Sequence, residues 1–277
     1  MKTIKFSSEF FNIKDTLECG QVFRFNSHGN GYLIFSKDKC AFAETKGDFT
    51  LITTNDKDYD YFYNYFDLAR DYSKIFNHVK GLNVDILSLS AERGKGIRLL
   101  NQDLLETAFS FIISQNNNIK RIKGIIEKLC TSLGDKRAFL DNEYYVFPSV
   151  EKMANTPLSF YKEIGLGYRA TYILEFAKSL SSGLDLIKFK GLEEKELRKH
   201  LTSIYGIGPK VADCIMLFGY KKTTSFPVDT WIEKVYRENF NGKLNSREKI
   251  AEYFTKTFKE NSGYVQQYLF HYKRNLE

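Results

Sequence analysis

The stretch Leu201-Thr-Ser-Ile-Tyr-Gly-Ile-Gly-Pro-Lys-Val-Ala-Asp-Cys214 decides the fold of the region around it. One helix ends before the Gly-Ile-Gly turn, and a second begins at Pro209, where the N–H that proline lacks would be unpaired in any case. The pattern predicts a helix-hairpin-helix within residues 193–219. Its glycines let the backbone approach a ligand closely, and free N–H groups at the helix start suit an anion such as phosphate. The predicted phosphate-binding turn consists of Gly206, Ile207 and Gly208.

A Gly-x-Gly turn alone is also typical of an ordinary corner between two helices. Lys210 adds chemistry, because it stands in the first turn of the second helix. There the positive end of the helix dipole is expected to lower its pKa and leave a partly neutral, nucleophilic amine. Asp229, in the stretch Phe226-Pro-Val-Asp229, opens a later helix that a short return can bring back to the same place. A purely structural helix cap remains an alternative for this carboxylate.

Length, net charge, cysteine spacing and the longest apolar runs limit the classes of protein to which this sequence can belong. A chain of 277 residues exceeds the usual size of one hydrophobic core, so two or three packed domains are expected. The formal net charge of +7 attracts a polyanion only mildly. The four cysteines are scattered without a Cys-x-x-Cys pair, which argues against a zinc module, an iron–sulfur cluster or a disulfide scaffold. No apolar run reaches membrane length, so we expect a soluble intracellular protein without membrane contact, in the cytoplasm or nucleoid if the source is bacterial.

The order of predicted elements indicates an α+β protein. Short β-prone runs separated by turn signals, from Val22 to about Thr54, predict an antiparallel meander. From Gln102 onward the pattern is helical throughout. We therefore expect an antiparallel sheet domain with flanking helices at residues 1–90, packed on a helical region of two subdomains at residues 91–277 that contains the helix-hairpin-helix.

Together with Asp229 at its spacing from Lys210, the hairpin sequence resembles the signature of the helix-hairpin-helix base-excision glycosylases that use a catalytic lysine. Within that superfamily it is most similar to the 8-oxoguanine DNA glycosylase branch. The resemblance implies that Lys210 attacks C1′ of the deoxyribose and forms a Schiff base. It also implies that Asp229 stabilises positive charge on the sugar and assists proton transfer.

Three further segments resemble those with which this family recognises the damaged base. Gly20, in Leu17-Glu-Cys-Gly-Gln-Val-Phe-Arg-Phe25, matches the glycine whose carbonyl accepts the N7–H that 8-oxoguanine has and guanine lacks. Near the C-terminus, Gln266 and Phe270 match the residues that bond the pairing edge and stack on one face. Cys214 matches the opposite wall of the pocket. A turn glycine at position 20 and a small core residue at position 214 are the structural alternatives.

Two more segments resemble the family's contacts with the orphaned cytosine. Asn116 and Arg121 match residues that fill the gap in the duplex. Tyr168 matches an intercalating wedge, and Arg169 matches an arginine that bonds the cytosine edge. A polar turn with helix caps and ordinary surface packing are the alternatives for these positions.

The resemblance implies a bifunctional glycosylase and abasic-site lyase that excises 8-oxoguanine from duplex DNA, preferably opposite cytosine, and acts as a monomer. The chemistry needs no cofactor, and no side-chain metal site is predicted, although hairpin carbonyls could hold a metal without leaving a side-chain trace. Trp231 departs from the pattern, since relatives carry a phosphate-contacting histidine in this neighbourhood.

Three alternatives remain open. The first is a related glycosylase for another damaged base. The second is a non-catalytic helix-hairpin-helix DNA-binding protein, which would require neither Lys210 nor Asp229. The third is a Schiff-base enzyme for a small carbonyl substrate, which would not require a phosphate-binding hairpin.

Overall fold

A computed structural model describes residues 1–240 and 242–276, and its N-terminal part is built on a five-stranded antiparallel sheet. The strands are β1 (Lys2–Ser7), β2 (Phe25–His28), β3 (Gly31–Ser36), β4 (Lys39–Lys46) and β5 (Phe49–Thr54). Their order across the sheet is β1-β5-β4-β3-β2. Ile52 in β5 pairs with Ile4 on one side and Ala43 on the other, and all three are buried. The predicted α+β architecture is confirmed.

The start of the sheet differs from the prediction in two places. β1 precedes the expected meander and pairs with β5, a contact between distant residues that no local turn signal announces. The strand expected from Val22 begins only at Phe25. Val22 and Phe23 bury their side chains in two separate hydrophobic cores, so this segment bridges the two cores where a strand would alternate its side chains across one sheet.

Helices make up most of the rest of the chain. Those that flank the sheet or follow it directly are α1 (Ile13–Glu18), α2 (Tyr59–Tyr65), α3 (Tyr72–Gly81) and α4 (Asp85–Gly94). The later ones are α5 (Leu104–Ser114), α6 (Ile119–Leu133), α7 (Val150–Ala154), α8 (Leu158–Glu163), α9 (Arg169–Ser181), α10 (Glu194–Thr202), α11 (Pro209–Phe218), α12 (Thr230–Asn239), α13 (Arg247–Phe258) and α14 (Ser262–Arg274). Nowhere in the described residues is a helix both long and apolar enough to cross a membrane.

A second, two-stranded sheet corrects the expectation that the chain is helical throughout from Gln102. β6 (Lys136–Phe139) and β7 (Asn142–Tyr145) form a short hairpin between α6 and α7. Its buried side chains, Phe139 and Tyr144, pack on the face of the large sheet that α1 and α2 leave uncovered. The Tyr144 ring stacks on Phe35 with centroids 5.4 Å apart. This tertiary contact stabilises a strand pair that is too short to be stable alone.

Two large hydrophobic cores position the site. One lies under the sheet, and the other extends through the helical region. Helix α3, which precedes residue 90, and α4, which spans that position, bury their apolar side chains in the helical core, where α4 packs on α14. The domain division near residue 90 stays a prediction. The packing of α4 on α14 brings the C-terminal helix beside the N-terminal segment that contains Gly20.

Candidate active site

A small cavity lies where α11, α14, the start of α12 and the segment after α1 meet. Its walls are formed by Gly20, Phe111, Lys210, Cys214, Phe218, Pro227, Asp229, Gln266, Gln267 and Phe270. These ten include all six residues predicted for catalysis and base recognition. The cavity volume of about 40 Å³ admits a few water molecules at most. A purine therefore enters only if side chains at the mouth move.

The predicted helix-hairpin-helix is present, with residues 203–208 joining α10 to α11. Gly206 has a φ of +87°, and a Cβ there would lie only 2.6 Å from the Cβ of Tyr172, so the position requires glycine. Ile207 is buried and anchors the turn. Gly208 faces open space and precedes the unpaired N–H groups of the first turn of α11. This combination of a fixed turn and an open backbone suits a phosphate group.

Lys210 lies half-buried in the first turn of α11, with its Nζ 5.6 Å from the centroid of the Phe111 ring. Burial lowers the pKa of its ammonium group, but the neighbouring Cys214 sulfur and the Asp229 carboxylate outweigh burial and raise that pKa. The expectation of a lowered pKa is therefore wrong, because it left out these two groups. Near neutral pH the side chain is an ammonium, which must lose a proton before its nitrogen can attack carbon.

Cys214 lies one helical turn after Lys210 and is buried. Burial raises the pKa of its thiol to about 11, although the neighbouring ammonium acts in the opposite direction. A neutral thiol therefore forms this part of the wall near pH 7. The pocket-wall and core-residue interpretations of Cys214 are compatible, since its small buried side chain also lines the cavity.

Asp229 is the N-cap residue of α12, and its Oδ1 accepts a hydrogen bond from the Ile232 N–H at 3.0 Å. The same carboxylate lines the cavity that Lys210 also lines. The capping interpretation and the catalytic one are thus compatible. The cap fixes the position of the carboxylate, and the start of the helix favours its negative charge.

A network around Gln21 holds Gly20 in place. Gln21 is fully buried. Its Nε2 donates to the carbonyls of Thr16 and Arg98 at 2.9 and 2.8 Å. Its Oε1 accepts from the Leu100 N–H at 2.9 Å. Sequence reasoning did not single out this glutamine, which ties the Gly20 segment to the chain that enters the helical core.

The two predicted residues on α14 lie on one side of the cavity. Gln266 is 4% exposed and its Nε2 donates to the Pro227 carbonyl at 3.2 Å. The ring of Phe270 covers Gly20, because its Cε1 lies 3.0 Å from where a Cβ on that glycine would stand. Movement of the Phe270 ring is therefore one way to enlarge the cavity next to the Gly20 backbone.

Four residues of the wall were not predicted from the sequence: Phe111, Phe218, Pro227 and Gln267. Phe111 and Phe218 stack with ring centroids 5.2 Å apart and form an apolar floor. Both belong to apolar helices, so nothing in the pattern distinguishes them from core residues. Gln267 did carry a signal, since it is a polar residue beside Gln266 in a helix whose other face is apolar.

The predicted wedge residues divide into a surface pair and two arginines. Asn116 and Tyr168 are exposed, and the Asn116 Nδ2 donates to the Tyr168 hydroxyl at 3.2 Å. Arg169 is only 3% exposed and donates to the carbonyls of Gln115 and Asn116. Arg121 is exposed and donates to a backbone carbonyl at 2.9 Å. Arg169 thus supports the backbone behind the wedge, while Arg121 lies on the surface.

The wedge adjoins the hairpin. The Nε2 of Gln115 donates to the Gly206 carbonyl at 2.9 Å. The Tyr172 ring contacts Tyr168 and Tyr205 edge-on, at centroid distances of 5.7 and 5.1 Å. The predicted phosphate-binding turn and the predicted wedge therefore share one surface.

A metal site is not evident from side chains. Within the described parts of the chain, no group of three or more His, Cys, Asp or Glu residues could hold a metal ion. In the hairpin, the carbonyl of Gly208 accepts from the Ala212 N–H at 2.9 Å. Trp231, which stands near where relatives carry a phosphate-contacting histidine, lies half-buried in the first turn of α12.

Two family models match consecutive parts of the chain. Residues 3–108 match the 8-oxoguanine DNA glycosylase, N-terminal domain, and residues 109–260 match the HhH-GPD superfamily base excision DNA repair protein. A probable N-glycosylase/DNA lyase of Methanothermobacter thermautotrophicus is 31% identical over 229 residues, which cover 76% of this chain and 72% of the relative.

Solved structures extend the similarity to nearly the whole chain. MBOgg1 in complex with a low affinity DNA ligand is 35% identical with a TM-score of 0.93, over 99% of this chain and 96% of that one. The 8-oxoguanine glycosylase/lyase of Clostridium acetobutylicum, in complex with double-stranded DNA containing cytosine opposite 8-oxoguanine, is 35% identical with a TM-score of 0.92. That match covers 97% of this chain and 93% of the other.

Proposed function

The chain belongs to the 8-oxoguanine DNA glycosylases of the helix-hairpin-helix base-excision superfamily, and we propose that Lys210 and Asp229 perform its chemistry. It is a DNA N-glycosylase with abasic-site lyase activity that excises 8-oxoguanine from duplex DNA. The observation that supports the assigned residues is their convergence. An amine, a carboxylate and the predicted base-recognition groups line one cavity, beside a hairpin suited to phosphate.

The proposed reaction begins when the Lys210 Nζ, having lost its proton, forms a bond to C1′ of the deoxyribose. The bond between C1′ and the base breaks, and the base leaves with the bonding electrons and takes up a proton. The sugar ring then opens to a protonated imine on Nζ. Loss of a proton from C2′ expels the 3′ phosphate by β-elimination. Asp229 stabilises the positive charge that develops on the sugar.

Base recognition follows from the residues around the amine. The Gly20 carbonyl accepts the N7–H of 8-oxoguanine, and guanine is rejected because its N7 is itself an acceptor. Gln266 bonds the pairing edge, and Phe270 and Cys214 bound the two faces of the base.

Recognition of the opposite strand is assigned to the wedge. Tyr168 and Asn116 fill the gap left by the extruded base. Arg121 and Arg169 set the preference for cytosine, Arg169 by exchanging its hydrogen bonds to the Gln115 and Asn116 carbonyls for the cytosine edge. Single-turnover excision opposite each of the four bases measures this preference. If Arg121→Ala slows excision equally opposite all four bases, Arg121 contacts phosphate only.

The enzyme acts on double-stranded DNA inside the cell, as a monomer. Light scattering with and without a duplex measures the stoichiometry. A two-to-one protein–DNA complex would contradict it.

Borohydride trapping tests the lysine. Incubation of the protein with a duplex carrying 8-oxoguanine opposite cytosine, followed by reduction, should give a covalent protein–DNA adduct, because borohydride reduces the imine to a stable amine. Lys210→Gln should give none. Lys128→Gln, at an exposed position of α6, should trap like the wild-type protein. Trapping by Lys210→Gln at the wild-type level would refute the assignment.

A further inference from the structure

Gln267 is a buried polar residue in the cavity wall to which the proposed reaction gives no role. Its side chain is 2% exposed. Its Nε2 donates to Gln266 Oε1 at 2.7 Å. No described group donates to its own Oε1, which is fully buried. A buried acceptor without a donor is costly, and such atoms in folded proteins call for an explanation.

The direction of this hydrogen-bond chain is fixed at its far end. The Pro227 carbonyl can only accept, so the amide of Gln266 must present its Nε2 there. The Oε1 of Gln266 then faces Gln267, which must present its own Nε2 in turn. If both amides were reversed, two acceptors would meet at Pro227. The free end of the chain is therefore an acceptor, Gln267 Oε1.

The same hydrogen-bond chain determines which donors and acceptors of the Gln266 side chain remain free. A carboxamide has two N–H groups and two acceptor lone pairs. One N–H is used by the Pro227 carbonyl, and one lone pair by Gln267. One donor and one acceptor remain, which match the O6 acceptor and the N1–H donor of a guanine pairing edge. The exocyclic 2-amino group of the base is then left without an acceptor from Gln266.

We propose that Gln267 is a specificity-determining residue whose Oε1 accepts a hydrogen bond from the 2-amino group of the extruded 8-oxoguanine. The inference rests on the proposed function, since it assumes that this base enters the cavity. The protein has a buried acceptor without a donor, and the base has a donor without an acceptor. A lesion without the 2-amino group leaves Gln267 Oε1 unpaired, so the enzyme should excise it more slowly.

The test compares 8-oxoguanine with 8-oxohypoxanthine, which differs only by lacking the 2-amino group, each opposite cytosine in the same duplex. We expect wild-type kcat/KM to be about tenfold to a hundredfold higher for 8-oxoguanine, the range that one unpaired buried polar group produces. Gln267→Met preserves side-chain length without polar atoms and should bring the ratio to within about twofold of one. Differences in duplex stability between the two lesions affect both proteins alike and cancel in this comparison.

Two further measurements separate recognition from folding. Cleavage of a duplex that already contains an abasic site needs no base contact, so Gln267→Met should retain it. Gln267→Glu keeps an acceptor and should retain the preference for the 2-amino group, even if its overall rate falls because it no longer donates to Gln266.

The inference is overturned if wild-type protein excises both lesions equally, or if Gln267→Met keeps the wild-type preference while cleaving the abasic site. If wild-type protein excises neither lesion, the proposed function itself fails, and this inference fails with it. If Gln267→Met does not fold, the wild-type ratio and the ratio for Gln267→Glu decide the question.

Discussion

Asp229 combines two tasks that a single substitution can separate. Its Oδ1 caps α12 through the Ile232 N–H, and its negative charge raises the pKa of the Lys210 amine. Asparagine caps helices about as well as aspartate does, since its side-chain oxygen accepts the same hydrogen bond. Replacement of Asp229 by asparagine therefore removes the negative charge and keeps the helix cap.

We predict that Asp229→Asn slows single-turnover base release about a hundredfold or more, the loss typical of removing one group that stabilises charge in a transition state. Binding of a non-cleavable duplex should change far less, and the melting temperature should stay near the wild-type value because the cap is preserved. Rapid-quench kinetics, fluorescence anisotropy and calorimetry provide the three measurements. An unchanged rate of base release would remove Asp229 from the mechanism.

Elements with local signals were predictable from the sequence, and those that depend on distant partners were not. The hairpin between α10 and α11 carries its own stop and start residues, so its position within residues 193–219 matches the structure. β1 depends on pairing with β5, and the β6–β7 hairpin depends on packing against the large sheet; short sequence windows contain neither partner.

The same distinction applies to the site. Lys210 and Asp229 were identifiable because each stands at a marked helix start. Phe111 was not, because an apolar residue that lines a cavity looks like any core residue in the sequence. The pKa of Lys210 is raised where the sequence predicts a lowered one, because the helix-dipole argument does not include the effects of Cys214 and Asp229 on that pKa.

The two hairpin glycines should respond differently to the same substitution. Gly206→Ala combines a positive φ with a Cβ that would lie 2.6 Å from Tyr172, so it should destabilise the fold by at least about 1 kcal/mol. Gly208→Ala adds a Cβ in open space and should leave the unfolding free energy unchanged. It should nevertheless weaken DNA binding, because the methyl group would stand where we propose that phosphate approaches the backbone. Denaturant unfolding and DNA titration distinguish the two effects, and equal stability losses in both variants would contradict the prediction.

At the scale of the whole molecule, a buried ion pair joins the sheet to the helical region. The Nη1 of Arg24 donates to Glu106 Oε1 at 2.5 Å, and its Nη2 donates to the Tyr145 carbonyl in β7 at 2.6 Å. Asp103 followed by Glu106 predicts a capping box at α5, in which each side chain accepts a hydrogen bond from the backbone N–H of the other residue. The structure forms only one of these two bonds. Asp103 caps the helix, whereas Glu106 turns to Arg24 and the Lys37 N–H. The Arg24–Glu106 pair thus joins three segments that are far apart in sequence: the segment at Arg24, α5 and β7.

This carboxylate should make the stability of the protein depend on pH. Burial raises the pKa of Glu106 to about 7, from an ordinary 4.5, although Arg24 acts in the opposite direction. Between these values the folded chain binds more protons at this site than the unfolded chain does. The free energy of unfolding therefore falls as pH rises through this window, by about 3 kcal/mol for this group.

Glu106→Gln keeps an acceptor for Arg24 and Lys37 but cannot ionise, so its unfolding free energy should fall less between pH 4.5 and 7.5 than that of the wild-type protein. Because the variant leaves the Arg24 charge unpaired, the slope with pH is the quantity to compare, and the absolute stability is not. Glu252→Gln, at an exposed position of α13, should keep the wild-type slope. Urea unfolding at four pH values across this window measures all three proteins. A Glu106→Gln variant with the wild-type slope would show that Glu106 is ionised in the folded protein throughout the range, and that the pH dependence arises from other groups.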